Sequence, residues 1–376
     1  MTVDVQRRLA ELARRAPSSR PVISVYLNKR WTDEDQRERV RIFLKNRLRE
    51  ARAARSEAPA AEDLDWIEAQ GQRLIAQDAF PGASGVALFA GGDGLREILP
   101  LRTAFEDTFV VNSRPYLRPL AAAADETVPA LVVFVDGVRA RLLALTPAGV
   151  GDEVVLESAV EGRHNATGWT MMAQSRYQRH IEEHRGQHYQ ATAAALADLV
   201  ERHGVRRIVL SGEARAVALF REHLPTPLAR RIVDVVPGAA HEAVTTIAAR
   251  AAERLAQVDE QEDAAAVDRL LDAAAKGGRA VAGVAPTLEA VNRNAVQHLY
   301  LVPAFEQPGA VCEGCGALQP PAPGHCRFCD AATRPTELGE AMVGRVLASG
   351  GAVSLVERHA GLAGREGIGA ILRYAA

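Results

Sequence analysis

The sequence predicts an α/β protein of three successive α/β domains, at residues 1–125, 126–258 and 259–376. Three observations carry that expectation. Short apolar, β-branched runs alternate with longer stretches whose apolar residues recur at helical spacing. Two stretches rich in alanine or acid, residues 121–126 and 259–263, interrupt that pattern as linkers. Apolar residues make up 48% of the 376 and charged residues 24%, the balance of a chain that can bury several cores.

In the first domain an amphipathic helix over Val5–Ala16 leads to the strand PVISVYLN, then to a long charged helix over Asp33–Ser56. Pro59 breaks that helix, and another follows over Leu64–Gln77. The strands SGVALFA and REILPLR are joined by a turn at Gly91-Gly92-Asp93-Gly94. The second domain opens with ALVVFVDGVRARLLAL, two strands about a tight Asp136-Gly137 turn, and continues with the strand DEVVLES. A polar loop and long helix come next, stopped at His203-Gly204. The strand RRIVLSG, the helix ARAVALFREHL, the strand RRIVDVV and a helix from His241 complete it. The third domain reads helix, Gly277-Gly278 break, strand, helix, strand, a cysteine segment, a helix over Leu338–Ser349, and strands at Ala352–Glu357 and GIGAILRY.

No run approaches the roughly 18 apolar residues of a membrane span, and the N-terminus lacks a signal-peptide core, so a cytoplasmic protein is expected, and separately a monomer. The net charge of −2 conceals an asymmetry. Residues 1–56 hold fifteen Lys or Arg against seven Asp or Glu. The basic helix carrying Arg41, Lys45 and Arg49 is therefore expected to face RNA phosphates. A salt-bridged, solvated helix is the competing expectation, since charges of both signs alternate along it.

The segment 162–190, GRHNATGWTMMAQSRYQRHIEEHRGQHYQ, holds four of the ten histidines among several arginines and has only a thin apolar stripe. Arg163, His164, Arg176, Arg179, His180, His184 and Arg185 are its candidate RNA-binding side chains. A solvated helix face would also account for them. Within the segment, His180-Ile-Glu-Glu183-His184 fits the H-x-x-E-H pattern of inverted zinc peptidases, with Glu183 as base. That remote alternative needs a third ligand, for which Glu201, Glu213 and Glu222 are equal candidates.

All four cysteines fall in two C-x-x-C pairs, Cys312/Cys315 and Cys326/Cys329. Two such turns place four thiolates around one tetrahedral Zn²⁺ and leave no open position, so the expected metal is structural. A disulfide framework or a redox pair fits less well, because the rest of the chain is cysteine-free and both pairs lie in Pro/Gly-rich loop. No phosphate-binding loop and no G-x-S-x-G elbow is present.

Residues from about 128 to the end resemble archaeo-eukaryotic class 1 peptide-chain release factors, Pelota and the related Vms1-like branch. The likeness runs from VVFVDGVRARLLAL through RRIVLSGEARAVALF in the second domain. It continues in VDRLLDAAAKGGRAVAGVAPTLEAVNRNAVQHLYLV, the cysteine segment and GIGAILRY in the third. The resemblance implies a central RNase H-like domain bearing a loop-helix arm and a C-terminal ribosomal-L30e-like domain with an inserted zinc ribbon. It implies a factor that binds the ribosome at the tRNA A site, contacts rRNA and tRNA, and extends its arm to the peptidyl transferase centre. A translational GTPase would be a partner of the third domain.

The release factors carry a Gly-Gly-Gln triplet there. In this chain Gln174 falls on the glutamine, and Met172 and Ala173 replace the glycines. The expected activity is peptidyl-tRNA hydrolysis, in release or in rescue of stalled ribosomes, with Gln174 positioning water. The alternative is a non-catalytic rescue or hibernation factor, similar to Pelota or Balon, that occupies the A site. No stop-codon-reading motif is found in the first domain.

Overall fold

The structure, a computed structural model, describes residues 5–16, 18, 20–31, 34–54, 59–77, 79, 80, 82–92, 94–126, 129–146, 149–158, 171–321 and 324–374. It divides into two compact units, residues 1–127 together with 260–376, and residues 128–259.

The first unit begins with α1 (Val5–Ala13), β1 (Val22–Asn28), α2 (Glu34–Ala53) and α3 (Ala61–Gln77). There follow β2 (Gly85–Gly91), β3 (Leu95–Leu101), β4 (Thr108–Asn112) and α4 (Arg118–Glu126). The four strands form one antiparallel sheet in the order β3-β2-β1-β4. Strand side chains alternate in direction, and β1 is buried on both faces. Ile23, Val25 and Leu27 join a core with Val40, Leu44 and Leu48 of α2 and Ile67 of α3, whereas Val22 and Tyr26 join the core that holds α1 and α4. The expected linker at 121–126 is in fact the end of α4. Leu120, Ala121, Ala123 and Ala124 are all buried, because alanine favours helix and its small side chain permits close packing.

The second unit contains β5 (Ala130–Val135), β6 (Arg139–Thr146), β7 (Gly149–Glu157), α5 (Met171–His203), β8 (Arg207–Ser211), α6 (Ala214–Glu222), α7 (Thr226–Ala229) and β9 (Ile232–Val236). Its sheet has the order β7-β6-β5-β8-β9. β5, β8 and β9 run parallel, and β6 and β7 are antiparallel additions. A central strand covered on both faces should be apolar throughout, and β5, ALVVFV, is entirely buried. Leu131, Val133 and Val135 meet α5, while Ala130, Val132 and Phe134 meet Ile247, Ala248 and Ala251.

Those three residues lie on α8 (Val244–Ala275), which also corrects an expectation. Asp259–Asp263, expected as a linker, continues the helix without a break. Glu and Gln are good helix formers, and no Gly or Pro intervenes. Arg254 pairs with Asp234 and Arg207 with Asp259, so the acids also serve to hold the helix. The boundary between the two units falls inside α8.

The remainder returns to the first unit with β10 (Ala280–Ala282), α9 (Val284–Asn292), β11 (Val296–Leu301), β12 (Pro308–Cys312), β13 (Leu318–Gln319) and β14 (Thr333–Glu337). It ends with α10 (Leu338–Ala348), β15 (Ala352–Leu355), α11 (Ala360–Ala363) and β16 (Ile368–Leu372). A mixed sheet has the order β10-β16-β11-β15, and a small antiparallel one the order β13-β12-β14. Leu9 and Leu12 of α1 and Leu120 of α4 share one core with Met342, Val343 and Val346 of α10. The chain's two ends thus keep separate sheets but bury a common apolar interior.

Polar groups fix that junction. The buried Arg118 guanidinium donates to the carbonyls of Phe305 (2.7 Å), Pro303 (2.7 Å) and Val302 (3.0 Å). Glu337 caps α10 by accepting from the amides of Gly339 and Glu340. Among the described residues, no helix is long and apolar enough to cross a membrane.

Candidate functional site

The longest element of the second unit is α5, 33 residues and so roughly 50 Å long at the α-helical rise. Its later half is embedded. Tyr189, Ala193, Leu196, Leu199 and Val200 recur at helical spacing and are buried against β5, β6 and Phe220 of α6. Over residues 180–187 no side chain is buried. The helix ends where the sequence places its stop: Gly204 has φ +60°, and the Val205 amide returns to the Val200 carbonyl at 3.1 Å.

Arg163 and His164 lie outside the described residues. Gln174, Arg176 and Arg179 lie on the helical backbone of α5, with side chains outside the described set. His180 and His184 face one another one turn apart, rings nearly perpendicular, with Nε2 atoms 3.0 Å apart. Among the described residues no third ligand joins them. Among the described residues the four cysteines are the group of three or more donors close enough to share a metal.

At the root of the arm, buried His188 shares a hydrogen bond of 2.9 Å between its Nδ1 and Ser158 Oγ. Burial pushes its pKa down, against the Arg139 backbone and the Asp136 charge, which pull it up. Tyr189 packs edge-on against His223. The Arg185 guanidinium lies so close to Gly137 that a Cβ there would sit 2.8 Å from its Nε. His188, Ser158 and Tyr189 form no local motif. They meet only because α5 crosses the Asp136–Arg139 turn, so no spacing in the sequence marks them.

On α2, Val40, Leu44, Leu48 and Ala51 face the core, and Arg41, Lys45 and Arg49 are exposed. Acids offset part of the helix's charge. Arg41 pairs with Glu38, Arg47 with Glu50 at 3.0 Å, and Arg52 with Asp65 and Glu68 at 2.7 Å each. Among the described residues Lys45 has no ion pair, and Arg49 bonds only the Asn46 side chain at 3.4 Å. Arg37 lies over Trp31 and Arg47 over Phe43.

The cysteines draw together at the end of the small sheet. All four sulfurs lie within 4.8 Å of one another, with Cys312–Cys329 at 3.4 Å and Cys315–Cys326 at 3.7 Å. Tetrahedral zinc with bonds of about 2.3 Å would set its sulfurs about 3.8 Å apart, so the donor set fits. Backbone amides turn toward the sulfurs in both pairs: Gly314 and Cys315 donate to Cys312 Sγ at 3.3 Å, and Phe328 to Cys326 Sγ at 3.4 Å. The Cys315 amide holds the Cys312 thiol down at about 6, and against the Ala317 amide the hydrogen bonds with Cys329, Cys312 and Cys326 push the Cys315 thiol up to about 11. Three arginines without any motif lie beside this sheet: Arg334 donates to Ser113 Oγ at 2.8 Å, next to Arg114, Arg345 donates to the Gly316 carbonyl at 2.8 Å, and Arg114 feels the charge of both.

Residues 115–262 match the model of bacterial archaeo-eukaryotic release factor family 10. No curated protein matches the chain. Among solved structures, an archaeal translation termination factor, aRF1, is similar at 16% identity and TM-score 0.27, over 98% of each chain. Dom34 of S. cerevisiae, described as a translation termination-like factor interacting with Hbs1, is similar at 12% identity and TM-score 0.42. That likeness covers 76% of this chain and 74% of Dom34. A model of ribosome-bound archaeal Pelota and ABCE1 is similar at 16% identity and TM-score 0.43, over 75% and 73%. Residues 115–262, about two fifths of the chain, are thus similar to the bacterial archaeo-eukaryotic release factors.

Proposed function

We propose that this chain is a ribosome-binding translation factor whose α5 arm enters the peptidyl transferase centre from the A site. In this reading the second unit is an RNase H-like domain, and β10–β16 belong to a ribosomal-L30e-like domain with a zinc ribbon. Zn²⁺ on Cys312, Cys315, Cys326 and Cys329 would cross-link the two turns and stabilise that fold. One observation carries the proposal: within the segment that matches the release-factor family, the helix bearing Gln174 is anchored by its later half and buries no side chain over residues 180–187. The cations of α2 and of the arm would meet rRNA phosphates, and a translational GTPase would deliver the factor.

At the centre, the Gln174 amide would orient a water against the peptidyl-tRNA ester and donate to the oxyanion as the bond to the tRNA breaks. Single-turnover release of peptide from ribosome-bound peptidyl-tRNA tests this. Gln174→Ala is expected to slow release by about 100-fold or more. Release by the variant at the wild-type rate would remove Gln174 from the chemistry.

A specific observation favours a second reading. The backbone is helical from Met171, so Met172, Ala173 and Gln174 lie in the first turn of α5. A glycine pair would free that turn, and Met-Ala does not. A non-catalytic factor occupying the A site needs no such freedom. It would show tight binding to vacant ribosomes with no release by the wild-type protein in the same assay.

A further inference from the structure

We propose that Arg114, Arg334 and Arg345 form an anion site beside the cysteine-bearing sheet and that it takes phosphodiester groups of RNA. The inference rests on the ribosome-binding reading and adds a further contact to it, apart from the α2 cations, on the unit that does not carry the arm. The three side chains come from the loop after β4, from β14 and from α10. Each is held by neutral acceptors. Arg114 Nη1 donates to the Arg15 carbonyl at 3.4 Å, and Arg334 Nη2 to Ser113 Oγ at 2.8 Å. Arg345 donates to the carbonyls of Gly316 (2.8 Å) and Asn292 (3.3 Å) and to Asn292 Oδ1 (3.4 Å).

Among the described residues no carboxylate pairs with any of the three. Partial desolvation of its guanidinium, followed by the charges of Arg334 and Arg345, pushes the Arg114 pKa down.

Bringing like charges together without a counter-ion is unfavourable, so neutral scaffolding of this kind suits a partner that supplies the negative charge. Guanidinium groups bind phosphate oxygens in a forked geometry. Arg114 is exposed, and Arg334 and Arg345 are half-buried, so a phosphate can reach them while their stems stay fixed. Contacts to phosphate oxygens follow a nucleic-acid backbone by charge and not by base identity.

The test measures binding of the full-length protein to vacant 70S ribosomes across potassium chloride concentrations. Variants are the Arg114→Ala/Arg334→Ala pair, the matching Lys and Gln pairs, and Arg202→Ala, an exposed partner of Asp198, as control. The Ala pair is expected to weaken binding about 10-fold and to lower the salt slope by about two. The Lys pair should retain most affinity and the control all of it. If the Ala pair fails to fold, the Gln pair carries the comparison. Wild-type affinity and slope in the Ala or Gln pair would overturn the inference and leave the ribosome-binding reading standing. Failure of the wild-type protein to bind ribosomes would overturn both.

Discussion

The Leu117 amide donates to Glu340 Oε1 at 2.7 Å, joining the start of α4 to α10 across 223 residues of sequence. The other carboxylate oxygen, Oε2, is buried without a hydrogen-bond partner. Burial pushes the Glu340 pKa up to about 7, with Glu337 adding to the rise and Arg118 and the Leu117 amide opposing it. A carboxyl whose folded pKa is raised binds its proton more tightly when folded. Its unfavourable contribution is absent below its unfolded pKa of 4.5, grows as pH rises toward 7, and is complete above that. Glu340→Gln should therefore match wild type in Tm near pH 4.5 and exceed it increasingly up to pH 8. Equal melting curves at both ends of that window would show that the carboxyl is not shielded from water.

His298 is expected to act in the opposite direction. Its Nε2 meets Ser354 Oγ at 2.8 Å and its Nδ1 meets Tyr300 OH at 3.2 Å. Burial lowers its pKa to about 4. The folded form keeps the ring neutral, so stability is full above 6.5 and is lost as pH falls toward 4, on the order of 2 kcal/mol. His298→Gln should flatten the acid limb of the stability curve over that interval, as read by urea denaturation at successive pH values.

Removal of metal should separate the cysteine centre from the rest. Wild-type protein is expected to carry about one zinc per chain by elemental analysis, and Cys326→Ser about none. Because the sulfurs close the shell without using the main core, the loss should appear first as protease cleavage between β13 and β14. The Leu9–Met342 core should melt afterwards. A variant that keeps its zinc would show that three cysteines suffice.

The arm's anchorage is testable at Leu196, which is fully buried between α5 and the sheet. Leu196→Ala should cost about 2–5 kcal/mol. It should also raise hydrogen exchange along residues 189–203 more than in the first unit. Truncation of Ile181, which is only half-buried, should cost much less.

Much of this architecture was legible because strands and helices here obey simple periods. β5 and β8 read as uninterrupted apolar runs since both their faces are covered, and the cysteine spacing announced a four-sulfur cluster. The acidic run at 259–263 and the alanines at 121–124 misled for a shared reason. Solvated charge and small side chains look like linkers until a neighbouring surface is known, and α8 and α4 each have one. The strands β4, β12, β13 and β14 are too short or too polar to stand out. The convergence of Arg114, Arg334 and Arg345 depends on tertiary placement, and no local pattern encodes it. The candidate loop before Met171, with Arg163 and His164, lies outside the described residues.

The first unit is assembled from segments on either side of the second. During synthesis, residues 1–127 leave the exit tunnel with Leu9, Leu12 and Leu120 lacking the α10 surface that later covers them. The intervening residues, 128–259, hold a complete sheet, α5 and the part of α8 that packs on it, so they can fold while the earlier segment waits. Completion of that shared core is thereby tied to the synthesis of α10, and a nascent chain interrupted before Leu338 would expose a sticky apolar face.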